Sequence, residues 1–161
     1  MSKTIMVGMG DYKVGKAPDR LMTAGLGSCI GVCIYDLFSH IGGMAHIMLP
    51  NSRESKATGN PAKYADTCLE MLLEDLLKMG AVKSRLKAKM AGGAQMFSFG
   101  GKPPILKIGE RNAEAVCQEL AKAGIPLVAA DTGGTFGRTI NFDIQTGDLH
   151  VRTINYGEKV I

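Results

Sequence analysis

The chain has no tryptophan, and its aromatic rings are four tyrosines and five phenylalanines among 161 residues. That excludes the stacked aromatic platforms on which proteins hold single-stranded nucleic acid. Positive charge is not concentrated either: 19 basic against 15 acidic side chains leave a net charge of +4. The longest basic cluster, Lys83-Ser-Arg85-Leu-Lys87-Ala-Lys89, alternates with other residues as the wet face of a strand does. No nucleic-acid partner is expected, and a mildly basic surface suits docking on an acidic protein better.

Membrane insertion is excluded on similar grounds. From Leu21 to Ser52 the only charged residue is Asp36, yet the stretch holds five glycines and two histidines. Strands buried on both faces read this way, whereas a spanning helix does not. Met1–Gly10 lacks the basic start and long apolar core of a secretion signal. The four cysteines, Cys29, Cys33, Cys68 and Cys117, follow no disulfide pattern. Reduced thiols in the cytoplasm are the expectation.

Cofactor motifs are missing too. Cys29, Cys33, His40 and His46 are too closely spaced for a zinc finger, so no metal is expected. Gly25-Leu-Gly27 does not complete a dinucleotide fingerprint, because residue 30 is Ile and a strand follows where a helix is needed. No Walker A sequence occurs, and no cofactor is expected.

What the chain does have is glycine, 21 of 161 residues against an ordinary share of about 7%. Each helical glycine costs roughly 1 kcal/mol, which argues against a helix bundle and for tight turns and close backbone approaches. Strands are predicted over Thr4–Val7, Leu21–Leu26, Ile30–Tyr35, Ile41–Leu49, Leu86–Met90, Pro126–Ala130, Thr139–Phe142 and His150–Ile154. The segment with Gly10, Gly15 and Pro18 reads as a loop. Asn60-Pro61 is expected to open a helix that Gly80 closes. A second helix, Glu110–Ala123, would bury Ala113, Val116, Cys117 and Leu120. The result is one domain over residues 1–161, an α/β (α+β) sandwich with mixed sheets and two main helices.

The chemistry-bearing segment is Thr23-Ala-Gly-Leu-Gly-Ser-Cys29, followed by Gly43-Met-Ala-His46. A two-residue turn at Leu37-Phe38 would set Cys29 directly opposite His46 on one sheet face. Two readings follow. Cys29 is a small buried hydrophobe, as free cysteines usually are, or it is a nucleophile whose proton His46 removes. On the second reading, the backbone at Gly27-Ser28 offers N–H groups to an oxyanion. Thr23, on a neighbouring strand, would orient the imidazole. Cys33, Cys68 and Cys117 are read as packing residues.

Beyond these residues, several motifs stand in order along nearly the whole chain. They are Gly25-Leu-Gly-Ser-Cys29, Gly43-Met-Ala-His-Ile-Met-Leu-Pro50, Lys63-Tyr-Ala-Asp66 and Lys89-Met-Ala-Gly-Gly-Ala94. Ile108-Gly-Glu-Arg-Asn112, Asp131-Thr-Gly-Gly134 with Arg138, and Thr146-Gly147 follow. With them the sequence resembles the CheD family, chemotaxis proteins that deamidate glutamines of chemoreceptors. The resemblance implies Cys29 as nucleophile, His46 as base and Thr23 as third member of a triad. It implies a fold similar to the catalytic domain of deamidating toxins. The implied partners are the cytoplasmic parts of chemoreceptors and a CheC-type phosphatase, with this chain a monomer or half of a heterodimer. Two other activities fit the resemblance, a binding module that regulates CheC and a receptor methylesterase. Met96, Phe97 and Phe99 are either a docking rim or core residues beneath flexible glycines. Arg138 is expected in an ion pair at a turn.

Overall fold

The nearly uncharged segment from Leu21 to Asp36 contributes to two strands, the first buried on alternate residues and the second along its whole length. A computed structural model describes residues 2–53, 59–96 and 107–161 of the chain, and among them it contains ten strands and two α-helices. One sheet is built from β1 (Thr4–Met6), β3 (Arg20–Leu26), β8 (Arg138–Asp143), β9 (Leu149–Thr153) and β10 (Gly157–Val160), in that spatial order. The second contains β2 (Tyr12–Lys16), β5 (Ile41–Ile47), β4 (Ile30–Asp36), β6 (Lys87–Gly92) and β7 (Leu127–Thr132). Helices α1 (Ala65–Met79) and α2 (Ile108–Ala123) complete an α+β sandwich. Among the described residues no helix is long and apolar enough to cross a membrane.

The second sheet lies in the middle, which explains why β4 and β5 are buried along their whole length. Ile30, Val32 and Ile34 pack with Leu72 and Leu76 of α1 and Val116 and Leu120 of α2. The alternate residues Cys33 and Tyr35 pack instead with Leu21, Leu26, Ile140 and Phe142 of the first sheet. Period-two alternation thus sends both sets of apolar residues into a core. Each fully buried Leu or Ile contributes roughly 1.5–3 kcal/mol. Gly31 lets the sheets close: a Cβ there would lie 2.4 Å from Ile140 Cδ1.

The β4–β5 hairpin is wider than expected. Asp36 pairs with Ile41 and Gly31 with His46, so four residues, 37–40, make the turn. The Asp36 carboxylate causes this by accepting from the N–H groups of Phe38 and Ser39 and from the Ser39 hydroxyl. It is fully buried and also accepts from Val82 N–H and Arg85, which hold its pKa well below the usual carboxylate range against the opposing effect of burial. The register therefore shifts by two residues. Because two is even, Cys29 and His46 keep one face but are diagonal neighbours instead of directly opposed.

Other departures are local. Gly15 lies in β2, not in a loop, and β10 is a strand with no counterpart in the sequence reading. Asn60-Pro61 opens only a 3-10 turn, Pro61–Lys63, with the Asn60 side chain accepting from Ala62 N–H; α1 starts after extended Tyr64. Lys83–Arg85 is a 3-10 turn, and Lys89 is half-buried with its Nζ donating to the Ile161 carbonyl, so the basic cluster is not one wet strand face. Cys117 is exposed, because the buried stripe of α2 runs through Gly109, Asn112, Val116 and Leu120.

Candidate active site

Three segments carry the predicted residues, and two of these side chains, Thr23 and His46, are in direct contact. β3 carries Thr23, β5 carries His46, and Cys29 ends the short link from β3 to β4. Thr23 does not come from a neighbouring strand of the same sheet, as the sequence suggested. It projects from the facing sheet and meets the imidazole across the sandwich interior. The His46 backbone is fixed as well: its N–H donates to Asp11 O at 2.9 Å and its carbonyl accepts from Gly10 N–H at 3.1 Å.

Hydrogen-bond bookkeeping assigns the imidazole tautomer. Thr23 Oγ1 lies 2.8 Å from Val7 O and 2.7 Å from His46 Nδ1. A carbonyl only accepts, so the single hydroxyl proton of Thr23 goes to Val7. His46 Nδ1–H must then donate to Oγ1, which leaves Nε2 with a free lone pair. That Nε2 is buried and has no hydrogen-bond partner among the described residues. A buried nitrogen kept ready to accept a proton is what a general base requires.

Cys29 is half-buried and free. Burial pushes its thiol pKa up and pushes that of His46 down. Both shifts favour the neutral form of each side chain. The other thiols differ: Cys33 is fully buried and strongly raised, and Cys68 is pushed up to about 12, mainly by burial.

The backbone before Cys29 is tied down carbonyl by carbonyl. Gly27 O accepts from Ala94 N–H at 2.8 Å, and Cys29 O from Gly93 N–H at 2.9 Å. Ser28 O accepts from Asn112 Nδ2 at 2.9 Å. Gly92 makes the approach feasible, since a Cβ there would lie 2.2 Å from Cys29 O and its φ is +117°. Of the amides, Gly27 N–H is committed to Gly25 O at 3.1 Å, which corrects its assignment as an oxyanion donor. Ser28 and Cys29 N–H have no acceptor among the described residues. Two adjacent unused N–H groups beside the Cys29 thiol are thus available as donors.

Sequence reasoning missed Asn112, Val7 and Gly92 as parts of this site. For Asn112 a signal existed: it falls three residues after Gly109 and four before Val116, on the buried stripe. Arg138 is in an ion pair as expected, 3.1 Å from Asp131, but it is a buried strand residue that also donates to the carbonyls of Gly92 and Gly133. Met96 is exposed and lies over Gly27, whereas Phe97 and Phe99 lie outside the described residues. A cleft of about 240 Å³ opens nearby, lined by Gly93, Lys107, Gly109 and Gly134 among others. Among the described residues no group of three or more His, Cys, Asp or Glu could hold a metal.

Comparisons with known proteins converge on one family. The family model described as CheD chemotactic sensory transduction matches residues 48–153. A protein of Desulfitobacterium hafniense is 65% identical over 161 residues, the whole of both chains. One from Syntrophomonas wolfei is 55% identical over the same span. One from Clostridium botulinum is 48% identical over 159 residues, 99% of this chain and 98% of its own. All three carry the name probable chemoreceptor glutamine deamidase CheD.

Proposed function

The chain belongs to the CheD family, and on that premise we propose that it is a chemoreceptor glutamine deamidase with Cys29 as nucleophile, His46 as base and Thr23 as the group that orients the base. The observation that carries the assignment of residues is the Thr23–His46 contact of 2.7 Å, which leaves Nε2 buried and without a partner among the described residues, on the face that Cys29 shares.

The reaction follows from that arrangement. His46 Nε2 takes the thiol proton as Cys29 Sγ bonds to the side-chain carbonyl carbon of a receptor glutamine. The carbonyl oxygen becomes an oxyanion, held by the N–H groups of Ser28 and Cys29. Such donors are each worth about 3–4 kcal/mol. On collapse the C–N bond breaks and the imidazolium returns its proton to the leaving nitrogen, releasing ammonia and leaving a thioester. Water then gives a proton to His46 and attacks the thioester carbon. The C–S bond breaks, glutamate is formed and Cys29 recovers its proton. A neutral side chain has become an anion, which alters the receptor's charge.

The resemblance also supports a cytoplasmic site of action and a CheC-type phosphatase as second partner, binding where the receptor binds. The test incubates the protein with a receptor cytoplasmic fragment and follows ammonia release and the mass gain of each deamidated glutamine. Cys29→Ala should abolish both. Deamidation by Cys29→Ala at the wild-type rate would overturn the assignment. Release of methanol from methylated receptor without ammonia would favour the methylesterase, and altered CheC activity with neither product would favour the binding module.

A further inference from the structure

Asn112 is fully buried on the apolar face of α2, where a hydrophobic side chain would ordinarily stand. Its Nδ2 donates to Ser28 O at 2.9 Å and to Met48 O at 3.1 Å. Its Oδ1 is buried with no partner among the described residues. Leaving a buried acceptor unpaired is unfavourable, so the residue is poorly explained as a contributor to packing. Its two N–H groups act where the sheet cannot: the β4–β5 ladder ends at Ile30 and Ile47, and the Ser28 and Met48 carbonyls lie just past it.

Of the three carbonyls around the nucleophile, those of Gly27 and Cys29 are held by main-chain N–H groups. Only that of Ser28 is held by a side chain. Across a planar trans peptide the carbonyl of one residue and the N–H of the next point in opposite directions. Drawing Ser28 C=O toward α2 therefore aims Cys29 N–H away from α2. Taking the nucleophile reading of Cys29 as its basis, we propose that Asn112 is a positioning residue that orients the Ser28–Cys29 peptide so that Cys29 N–H meets the developing oxyanion.

The experiment separates attack by sulfur from stabilisation of the oxyanion. Alkylation of Cys29 by iodoacetamide needs the thiol and its base but forms no oxyanion. Deamidation needs both. Asn112→Leu and Asn112→Asp should fold, and each should lower kcat for receptor deamidation by about tenfold or more, with KM changed by less than about threefold. The rate of Cys29 alkylation, read by mass spectrometry on its own peptide, should stay within about threefold of wild type. Val116→Ala, which weakens packing one turn further along α2, should leave kcat within about twofold. The proposal is overturned if either Asn112 variant keeps its kcat, if alkylation and kcat fall together, or if neither variant folds, since the residue would then serve the fold. A fully active Cys29→Ala would sink the nucleophile reading itself. An inactive Cys29→Ala beside an unimpaired Asn112→Leu would sink only the positioning role.

Discussion

Thr23 and His46 stand on opposite sheets and meet at 2.7 Å across the interior of the sandwich. The hydroxyl proton of Thr23 is committed to Val7, and this makes the threonine an acceptor for the imidazole. The imidazole is thus oriented by a contact between layers and not by the neighbouring strands of its own sheet.

Thr23→Val tests that contact with little change in shape. The substitution leaves the Val7 carbonyl and the Nδ1–H without their partner, at a cost of about 1–3 kcal/mol for each buried group left unpaired. With the tautomer no longer fixed, kcat for deamidation should fall on the order of 100-fold while KM changes little. Urea denaturation and steady-state kinetics read the two effects. A variant as active as wild type would remove Thr23 from the mechanism.

The pH dependence has a defined sign. His46 is lowered by burial, so below the ordinary imidazole value near 6.5 the unfolded chain takes up a proton that the folded chain refuses. Stability should therefore decline as pH falls from about 6.5 toward the folded-state pKa, and His46→Gln should lose that slope. The acid limb of kcat/KM should lie below pH 6.5 for the same reason. Cys29 is raised, so its contribution runs the other way, with stability lost as pH rises above the ordinary thiol value. Denaturation midpoints between pH 5 and 10 check both limbs.

Gly92→Ala attacks the scaffold beneath the nucleophile. The new methyl would sit 2.2 Å from Cys29 O, and the backbone at φ +117° is one that side chains rarely adopt. The conformation alone costs roughly 1–3 kcal/mol, and the loop carrying Cys29 must also move. Activity should be lost more completely than stability. Gly133→Ala is the control, since it shares a positive φ but no atom lies within 4 Å of the added methyl.

Thiol reactivity distinguishes the four cysteines. Cys29 is half-buried and Cys117 exposed, while Cys33 and Cys68 are fully buried. In native protein a thiol reagent should modify Cys29 and Cys117, with Cys33 and Cys68 reacting only after denaturant is added. Cys29→Ala should leave Cys117 as the single reactive site. Fast native reaction at Cys33 or Cys68 would contradict the packing described.

That Cys29 and His46 fall on one sheet face was legible from chain order. Two consecutive strands form a hairpin, and an even register error leaves both residues on one face. The register itself was not legible, because it depends on the Asp36 carboxylate gathering donors from Ser39, Val82 and Arg85, two of which lie far along the chain. Thr23 was found, but its strand was placed in the wrong sheet, since nothing local says which layer a strand joins. The short polar strands β2 and β10 escaped notice because edge strands need little apolar alternation. Asn112 escaped because a lone amide on an amphipathic helix ordinarily faces water, and only its tertiary neighbours make it a donor to Ser28 and Met48. The same logic misassigned Cys117: the apolar stripe was drawn one position off when Asn112 was excluded from it.

The two-layer origin of the proposed triad also ties its assembly to chain order. β3 carries Thr23 but pairs with β8, and β8 pairs in turn with β9. During synthesis, Cys29, His46 and Thr23 all leave the ribosome long before residues 138–153 exist to complete the sheet behind Thr23. On the proposed roles of Thr23 and His46, the hydroxyl that orients the imidazole rests on a sheet whose remaining strands are the last part of the chain to be made.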